Sequence, residues 1–309
     1  MELSNNRDKI EYAVMNPSKN ITILVLSDVD KENYSYIAKE LLKKEQIAEQ
    51  VGFIKLPKNA EKLKLPSGEV FDIILEMAGN EFCGNATMSA AAYYAIKNGI
   101  NDGNIIVKTT GVDKVIDVKV KYDNSTYVGT NDRFKTEDNF ITYEGIVNMP
   151  KAKEVSEVTF LCGETFKVVY FEGIAHIIIE EKEIDNIDEY KKYLEKNIKS
   201  WCEYLKVKAL GIMICEGLDV TKTYAFENKE NKVKMLPLVY VKDVDTLYWE
   251  SSCASGTTAL GAYLYKKIKK EVSVNVIQPS GTTLHIKINN NEYLLRGIVS
   301  LMSENYIEC

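Results

Sequence analysis

Residues 81–94 read EFCGNATMSAAAYY and residues 250–265 read ESSCASGTTALGAYLY, so one pattern is written twice in the chain. With the two cysteines superposed, four positions are identical, namely Cys83 and Cys253, Thr87 and Thr257, Ala92 and Ala262, and Tyr93 and Tyr263. Each copy places a thiol immediately before a run of small residues that contains no proline. The repeat predicts two halves of similar structure, each with a helix headed by a cysteine.

The small residues of these helices predict the fold class. A helix with alanine or serine on most of its faces is buried, because a surface helix carries a polar face. Each half also reads as strands, a peripheral amphipathic helix, more strands and then the cysteine-headed helix. We therefore expect an α/β (α+β) fold with two pseudo-symmetric domains, each a mixed sheet wrapped around a central helix. The expected domains are residues 1–150 and 151–297, with a strand in 298–309 completing the first.

Hydrophobic periodicity and turn residues predict the remaining elements. Helices are expected at residues 30–48, 84–98 and 186–206 and after Cys253. Strands are expected near residues 10–15, 21–26, 49–56, 70–77, 104–109, 115–122, 141–149, 157–162, 166–171, 174–180, 208–215, 220–226, 236–241, 272–278, 282–288 and 293–307. The polar stretch 123–139 is expected to be a mobile loop.

The bulk composition excludes several classes of protein. The 309 residues are 45% hydrophobic and 27% charged, which is typical of a globular protein, and the net charge of −6 argues against nucleic acid as a partner. No apolar run approaches a membrane span or a secretory signal. The six cysteines include no CxxC pair, so we expect free thiols, no metal site and a cytoplasmic location.

A thiol at a helix N-terminus suits proton transfer at a carbon atom. The unpaired N–H groups and the helix dipole favour negative charge there, which predicts a lowered thiol pKa and a binding site for a carboxylate. Inversion of a stereocentre needs a base on one face of the carbon and an acid on the other, and two facing thiols could exchange these roles. Neither motif contains an arginine, so the two helix N-termini are the expected carboxylate site.

The paired motifs Cys83–Thr87 and Ser252–Thr257 resemble those of the diaminopimelate epimerase and proline racemase superfamily. The resemblance spans nearly the whole chain and implies an isomerase that needs no cofactor, with two domains closing over one small amino-acid substrate. The resemblance is also compatible with a homodimer. The turn at Asn16–Asn20 lies where the family has its asparagine loop, and Gln278–Gly281 resembles its late glycine turn.

The resemblance also implies roles for individual residues. Cys83 and Cys253 would be the acid–base pair, and Glu250 would meet the α-ammonium group together with Asn20. Two further side chains, Gln50 and His176, match substrate-contacting positions of the family. The backbone N–H groups expected to bind the α-carboxylate are those of Gly84, Asn85, Ala254 and Ser255.

Within the superfamily, four segments are similar to those of histidine racemases that make D-histidine for opine metallophores. These segments are NPSKN at 16–20, EQVGFI at 49–54, GNEFCGNATM at 79–88 and WESSCASGT at 249–257. The similarity implies conversion of L-histidine to D-histidine. Diaminopimelate epimerases hold the far end of their substrate with asparagines and an arginine, whereas this chain has Ile174 and Ser251 at two of those positions.

Three other functions are consistent with the sequence. A proline- or hydroxyproline-type racemase, or a diaminopimelate epimerase, would share the two thiols and their chemistry. A non-catalytic amino-acid-binding protein could keep the same cleft without turnover. A metal or redox role for two facing thiols has no supporting cluster of histidines and carboxylates in the sequence.

Overall fold

A computed structural model describes residues 9–56, 63–64, 68–123, 140–219 and 231–308. Four α-helices lie in these residues: α1 Tyr34–Lys44, α2 Gly84–Asn98, α3 Ile187–Leu205 and α4 Ala254–Ile268. The eighteen strands are β1 Lys9–Pro17, β2 Thr22–Val25, β3 Gln50–Lys55, β4 Leu63–Lys64, β5 Val70–Phe71, β6 Ile73–Met77, β7 Asp102–Thr109, β8 Ile116–Tyr122, β9 Ile141–Asn148, β10 Glu154–Thr159, β11 Thr165–Tyr170, β12 Ile174–Glu180, β13 Ala209–Glu216, β14 Lys232–Val241, β15 Thr246–Trp249, β16 Val272–Ile277, β17 Thr283–Ile288 and β18 Tyr293–Glu308. None of the helices in this part of the chain is long and apolar enough to cross a membrane.

Sixteen of the strands form one sheet, and its first half closes on itself. The strand order is β1-β2-β3-β6-β7-β8-β9-β18-β17-β16-β14-β13-β12-β11-β10, and β15 pairs with β14. Because β1 also pairs with β18, the eight strands from β1 to β18 in this order make a closed ring. The other strands continue from β18 as an open, curved sheet.

Helix α2 runs through the closed ring and α4 lies in the curve of the open sheet. Helix α2 contacts β1, β2, β6, β7, β8, β9 and β18, and α4 contacts β10, β11, β12, β13, β16, β17 and β18. Small side chains permit this close approach from several sides. At Gly261 of α4, for example, a Cβ atom would lie 2.9 Å from side-chain carbons of Ile286 and Ile288.

The amphipathic helices α1 and α3 cover the outer faces of the sheet. Helix α1 buries Tyr34, Ile37 and Leu41 against the strands of the first half. Helix α3 begins after Asn186, whose side-chain oxygen accepts hydrogen bonds from two backbone N–H groups of the first turn. Its buried face, which includes Trp201, packs on β13 and β14.

The predicted α/β class is confirmed, and most predicted elements are present with boundaries within a few residues. Helix α1 is shorter than the predicted 30–48, because a 3₁₀ turn precedes it and the chain leaves helical geometry at Glu45. The strand predicted at 70–77 is interrupted at Asp72, which pairs with Ile106. Strand β15 was not predicted, and the expected strand at 220–226 and nearly all of the expected loop at 123–139 lie outside the described residues. The division into two domains stays a prediction.

Candidate active site

Cys83 and Cys253 occupy the same position in two equivalent helices. Each is the N-cap residue, of α2 and α4 respectively, with extended backbone angles of φ −125°, ψ 114° and φ −124°, ψ 106°. Each cysteine sulfur accepts a hydrogen bond from the third backbone N–H of its helix. The donor is Ala86 at 3.4 Å for Cys83 and Gly256 at 3.3 Å for Cys253. The repeated threonines also act alike, because Thr87 and Thr257 each donate to the carbonyl of their cysteine at 2.7 Å.

The two helix N-termini lie directly against each other. A Cβ atom on Gly84 would be 2.9 Å from the Cβ of Ala254, so only glycine allows this approach without a shift. Asn85 of α2 donates from Nδ2 to the carbonyl of Ser252, at 3.0 Å, across the same contact. The repeat seen in the sequence therefore produces a pair of facing helix ends, each capped by a thiol.

A cavity of about 380 Å³ opens at these two helix ends. Its inner wall includes both cysteines and most of the predicted site residues: Asn20, Gln50, Cys83, Gly84, Asn85, Glu250, Cys253, Ala254 and Ser255. Apolar side chains, among them Phe82, Ile174 and three valines of the segment 239–244, line another part. Exposed residues of α1, including Lys39 and Lys43, also line it.

Cys83 is held by a chain of amides from the first half. Its thiol donates to Oε1 of Gln50 at 2.9 Å, and Nε2 of Gln50 donates to Oδ1 of Asn20 at 2.6 Å. Asn85 donates to the same oxygen of Asn20 at 3.0 Å. Asn20 also donates to Glu49. The predicted residues Asn20 and Gln50 thus contact each other and fix the position of the thiol.

Cys253 is held by a different set of groups. Its backbone N–H donates to Oε1 of Gln278 at 2.9 Å, and Nε2 of Gln278 donates to the hydroxyl of Thr257 at 3.1 Å. Its sulfur lies 3.6 Å from Oγ of Ser255 and is also close enough to the carboxylate of Glu250 for that charge to raise its pKa. The sequence did not predict that Gln278 would hydrogen-bond two residues of this motif.

The turn that carries Asn20 is fixed to the other half of the chain. Ser18 and Lys19 have φ angles of 51° and 66°, in the left-handed region that side chains disfavour. Lys19 donates from Nζ to the carbonyl of Ser280 at 3.0 Å, and Thr282 donates to the carbonyl of Ser18 at 2.9 Å. The asparagine turn and the late glycine turn, both identified in the sequence, are therefore in contact.

Two carboxylates beside the thiols have raised pKa values. Burial, together with the neighbouring charge of Glu49, raises the pKa of Glu250 to about 8. Burial also raises the pKa of Glu49, although hydrogen bonds from Ser251 and Asn20 partly offset this. Two carboxyl groups so close together in a buried site do not both ionise readily, so the site favours a bound positive charge.

The prediction of a lowered thiol pKa is wrong for the protein without a ligand. Burial raises the pKa of Cys83 to about 12, and burial with the nearby carboxylate of Glu250 raises that of Cys253 well above its usual value. The N–H groups of Ala86 and Gly256 act in the opposite direction but are outweighed. The sequence motif shows the helix N-terminus but not the depth of burial or the adjacent carboxylate.

His176 is the predicted site residue that the structure separates from the others. Its ring is buried, with neither nitrogen hydrogen-bonded to any described residue, and burial lowers its pKa to about 3. It is not among the cavity-lining residues and packs instead beside Phe171 and Gly211. Its neighbour two residues earlier on β12, Ile174, lines the cavity. A direct substrate contact by His176 has no support in this geometry.

Two acidic residues that line the cavity were not predicted from the sequence, Glu49 and Glu81. Both lie in the segments EQVGFI and GNEFCGNATM, where the predicted roles belong to the neighbouring amide of Gln50 and thiol of Cys83. Burial raises the pKa of Glu81 to about 7. Within the described ranges, no group of three or more histidines, cysteines and carboxylates could hold a metal ion.

Comparison with known proteins identifies the family. A family model described as "Histidine racemase CntK N-terminal domain" matches residues 9–302. The chain belongs to the histidine racemase family. It is 34% identical to a histidine racemase of Fusobacterium nucleatum over 310 residues, covering 96% of this chain and 97% of the relative. It is 29% identical to a histidine racemase of Staphylococcus aureus, covering 90% and 89%.

Solved structures agree on the fold. A hydroxyproline epimerase from Agrobacterium vitis with bound trans-4-hydroxy-L-proline superposes with a TM-score of 0.59 at 8% identity, covering 98% of this chain and 93% of that one. A PhzC/PhzF-type protein from Clostridium difficile superposes with a TM-score of 0.54 at 14% identity, covering 97% and 100%. The family membership makes this member an isomerase of the racemase type, with a fold shared across these enzymes.

Proposed function

We propose that this protein interconverts L- and D-histidine in the cavity between α2 and α4, with Cys83 and Cys253 as the two acid–base groups and no added cofactor. The observation that supports this most strongly is the pair of equivalent thiols, each capping a helix, on one cavity wall. The histidine racemases of Fusobacterium nucleatum and Staphylococcus aureus support the choice of substrate.

The α-carboxylate is assigned to the paired helix ends. The third N–H of each helix is taken by the cysteine sulfur, which leaves the N–H groups of Gly84, Asn85, Ala254 and Ser255 as the ones that an external anion can use. These donors and the two aligned dipoles would stabilise the negative charge that grows on the carboxylate when the α-proton leaves. The N–H donors and the dipoles would thus bind the carboxylate without an arginine, which neither motif contains.

The α-ammonium group is assigned to Glu250. A buried carboxyl whose pKa is raised gains most from a positively charged neighbour, because the pair no longer leaves an isolated charge in a dry site. The same positive charge lies close to both thiols and would favour their deprotonated forms. The substrate itself therefore supplies the electrostatic change that the unliganded site lacks.

One cysteine, as the thiolate, removes the α-proton, and the other, as the thiol, delivers its proton to the opposite face. With the carboxylate and ammonium fixed, the α-carbon lies between the two sulfurs, and the electron pair left by the proton is delocalised into the carboxylate. The second thiol then protonates the carbon, and the two sulfurs have exchanged their protonation states. Gln50 would hold the Cys83 sulfur in position during both steps.

Activity with purified protein tests the proposal. Each L-amino acid is incubated with the protein in the absence of pyridoxal phosphate, and chiral chromatography follows the D-enantiomer. We expect D-histidine to form from L-histidine, and the reverse, with an equilibrium ratio of one. Racemisation of proline or diaminopimelate but not histidine would overturn the substrate, and binding of histidine without any turnover would leave the amino-acid-binding alternative.

A cytoplasmic location and a homodimer stay predictions. The five cysteines of the described residues are free thiols, which agrees with a reducing compartment. Analytical ultracentrifugation of the full chain measures the oligomeric state directly, and a monomer at micromolar concentration would contradict the homodimer.

A further inference from the structure

The cavity contains three carboxylates, and of these only Glu250 has a role in the reaction proposed above. Glu250 lies beside the thiol of Cys253, and Glu49 accepts hydrogen bonds from Asn20 and from the N–H of Ser251. Glu81 differs, because its Oε2 is buried and has no hydrogen-bond partner among the described residues. A buried carboxylate oxygen without a partner costs free energy, so it calls for an explanation in a ligand.

The backbone around Glu81 is fixed. Thr110 donates from Oγ1 to the carbonyl of Glu81 at 2.9 Å and accepts the N–H of Met77 at 3.0 Å. Gly111, at φ +75°, approaches so closely that a Cβ atom would lie 2.2 Å from the N of Phe82. The side chain of Glu81 therefore starts from a rigid point two residues before the thiol of Cys83.

The carboxylate itself lies against an apolar part of the cavity. A Cβ atom on Gly79 would meet Oε2 of Glu81 at 2.5 Å and a methyl group of Val241 at 2.8 Å, so these groups are immediate neighbours. Val244 and Phe82 line the same cavity. The combination of apolar walls with one buried acceptor suits a flat ring that carries an N–H donor.

We propose that the carboxylate of Glu81 selects the side chain of the substrate by accepting a hydrogen bond from an N–H of its imidazole ring. This inference rests on the proposed function, because it assumes that histidine is the amino acid held by the two helix ends. Asn85 also has a buried oxygen without a partner, but it lies on α2 beside the reacting centre rather than on this wall. Burial raises the pKa of the Glu81 carboxyl more than the nearby backbone N–H groups of Glu81 and Gly79 lower it.

The test compares histidine with an analogue that has a similar ring but no N–H. In 2-thienylalanine the imidazole is replaced by thiophene, which fits the same apolar walls. Exchange of the α-proton for deuterium is measured with both substrates for the wild-type protein, Glu81→Ala and Glu81→Gln. Glu216→Gln serves as the matched control, because Glu216 is exposed and paired with Lys234 away from the cavity.

We expect the wild-type protein to prefer histidine, and Glu81→Ala to reduce kcat/KM for histidine about ten- to a hundredfold, the range of a hydrogen bond to a charged group. The value of kcat/KM for the analogue should fall far less, so the ratio of the two values should fall in the variant. An unchanged ratio of the two substrates in both Glu81 variants would overturn the proposal, because a purely structural role would change both rates together.

A chemical probe on the wild-type protein completes the experiment if a variant fails to fold. Histidines methylated on one or the other ring nitrogen block one N–H at a time, and we expect at least one of them to lose activity about as much as the alanine variant does with histidine. Equal activity of both methylated forms and histidine would contradict the proposal. Failure of the wild-type protein to exchange histidine at all would instead overturn the proposed function.

Discussion

The two catalytic candidates share a backbone position but not their surroundings. The Cys83 thiol donates to the neutral amide of Gln50, whereas Cys253 lies beside the carboxylate of Glu250. Both are protonated in the unliganded cavity, because burial disfavours the thiolate. This difference between their surroundings predicts that the two thiols contribute unequally to the two directions of the reaction, even though each is required in both.

Replacement of either cysteine should abolish racemisation. We expect Cys83→Ala and Cys253→Ala each to lower the rate of D-histidine formation by at least about 10²–10⁴-fold, since each removes one acid–base group. Histidine binding, measured by calorimetry, should persist because the helix N–H groups remain. Cys162→Ala is the control, because Cys162 is exposed and outside the cavity. Racemisation at a near-normal rate in either cavity variant would contradict the two-base mechanism.

The pH dependence of the reaction should follow Glu250. Below its pKa of about 8 the carboxyl is neutral and cannot pair with the α-ammonium, so kcat/KM should rise as the pH rises through about 8. Glu49 and Glu81 face the same cavity and also titrate with raised pKa values. The pH profile of kcat/KM for Glu250→Gln separates the contributions of these three carboxyl groups. That variant should lose the step near pH 8 and keep any step that belongs to Glu49 or Glu81. A wild-type step near 8 that survives in Glu250→Gln would contradict the assignment.

At the residue scale, the sequence predicted which groups line the cavity better than it predicted their environment. The repeat located both thiols, and the resemblance located Asn20, Gln50 and Glu250, all of which line the cavity. The thiol pKa values could not be predicted, because they depend on burial and on charges brought together by the fold. The position of His176 shows the same limit, since a sequence match does not reveal how far along a strand the cavity extends: Ile174, on the same face of β12, lines it and His176 does not.

At the scale of elements, the contact between α2 and α4 depends on small residues at the two helix ends. We predict that Gly84→Ala lowers activity strongly, because its Cβ would lie 2.9 Å from the Cβ of Ala254 and push the helix ends apart. Far-ultraviolet circular dichroism should stay unchanged, as the helix itself tolerates alanine.

A compensating substitution provides the control for this prediction. Ala254→Gly removes the methyl group on the facing helix, so the double variant Gly84→Ala/Ala254→Gly should recover much of the lost kcat. The nearby side chain of Met149 is flexible and can adjust. A double variant that is no better than Gly84→Ala alone would show that the helix contact is not the cause.

The cysteine-headed helices were the most predictable elements of the fold. Helix α2 covers residues 84–98 as predicted, because the signals that define it lie within its own segment of the sequence. These are its N-cap, its small residues and its terminal Gly99 at φ 64°. Strand β15 was missed, since its four residues are defined by pairing with β14 rather than by an alternating pattern. Local signals therefore located the site, and long-range pairing decided the elements around it.

At the scale of the whole molecule, β18 joins the two halves of the chain. Its 16 residues pair with β1 and β9 of the first half and with β17 of the second. We expect the chain to unfold in one transition when tryptophan fluorescence, which reports the second half through Trp201 and Trp249, is compared with circular dichroism. Two separate transitions would instead support independently stable domains at the predicted boundary.

The central claim, that one thiol acts on each face of the α-carbon, is tested most directly by isotope transfer. L-histidine is incubated with the protein in D₂O, and both enantiomers are isolated early in the reaction and examined by mass spectrometry. The account predicts that nearly all D-histidine carries deuterium at the α-carbon while the remaining L-histidine carries almost none, because the proton is removed on one face and a solvent-exchanged thiol delivers deuterium to the other. Deuterium in the remaining L-histidine at the same rate as in D-histidine would show a single base serving both faces, and would contradict it.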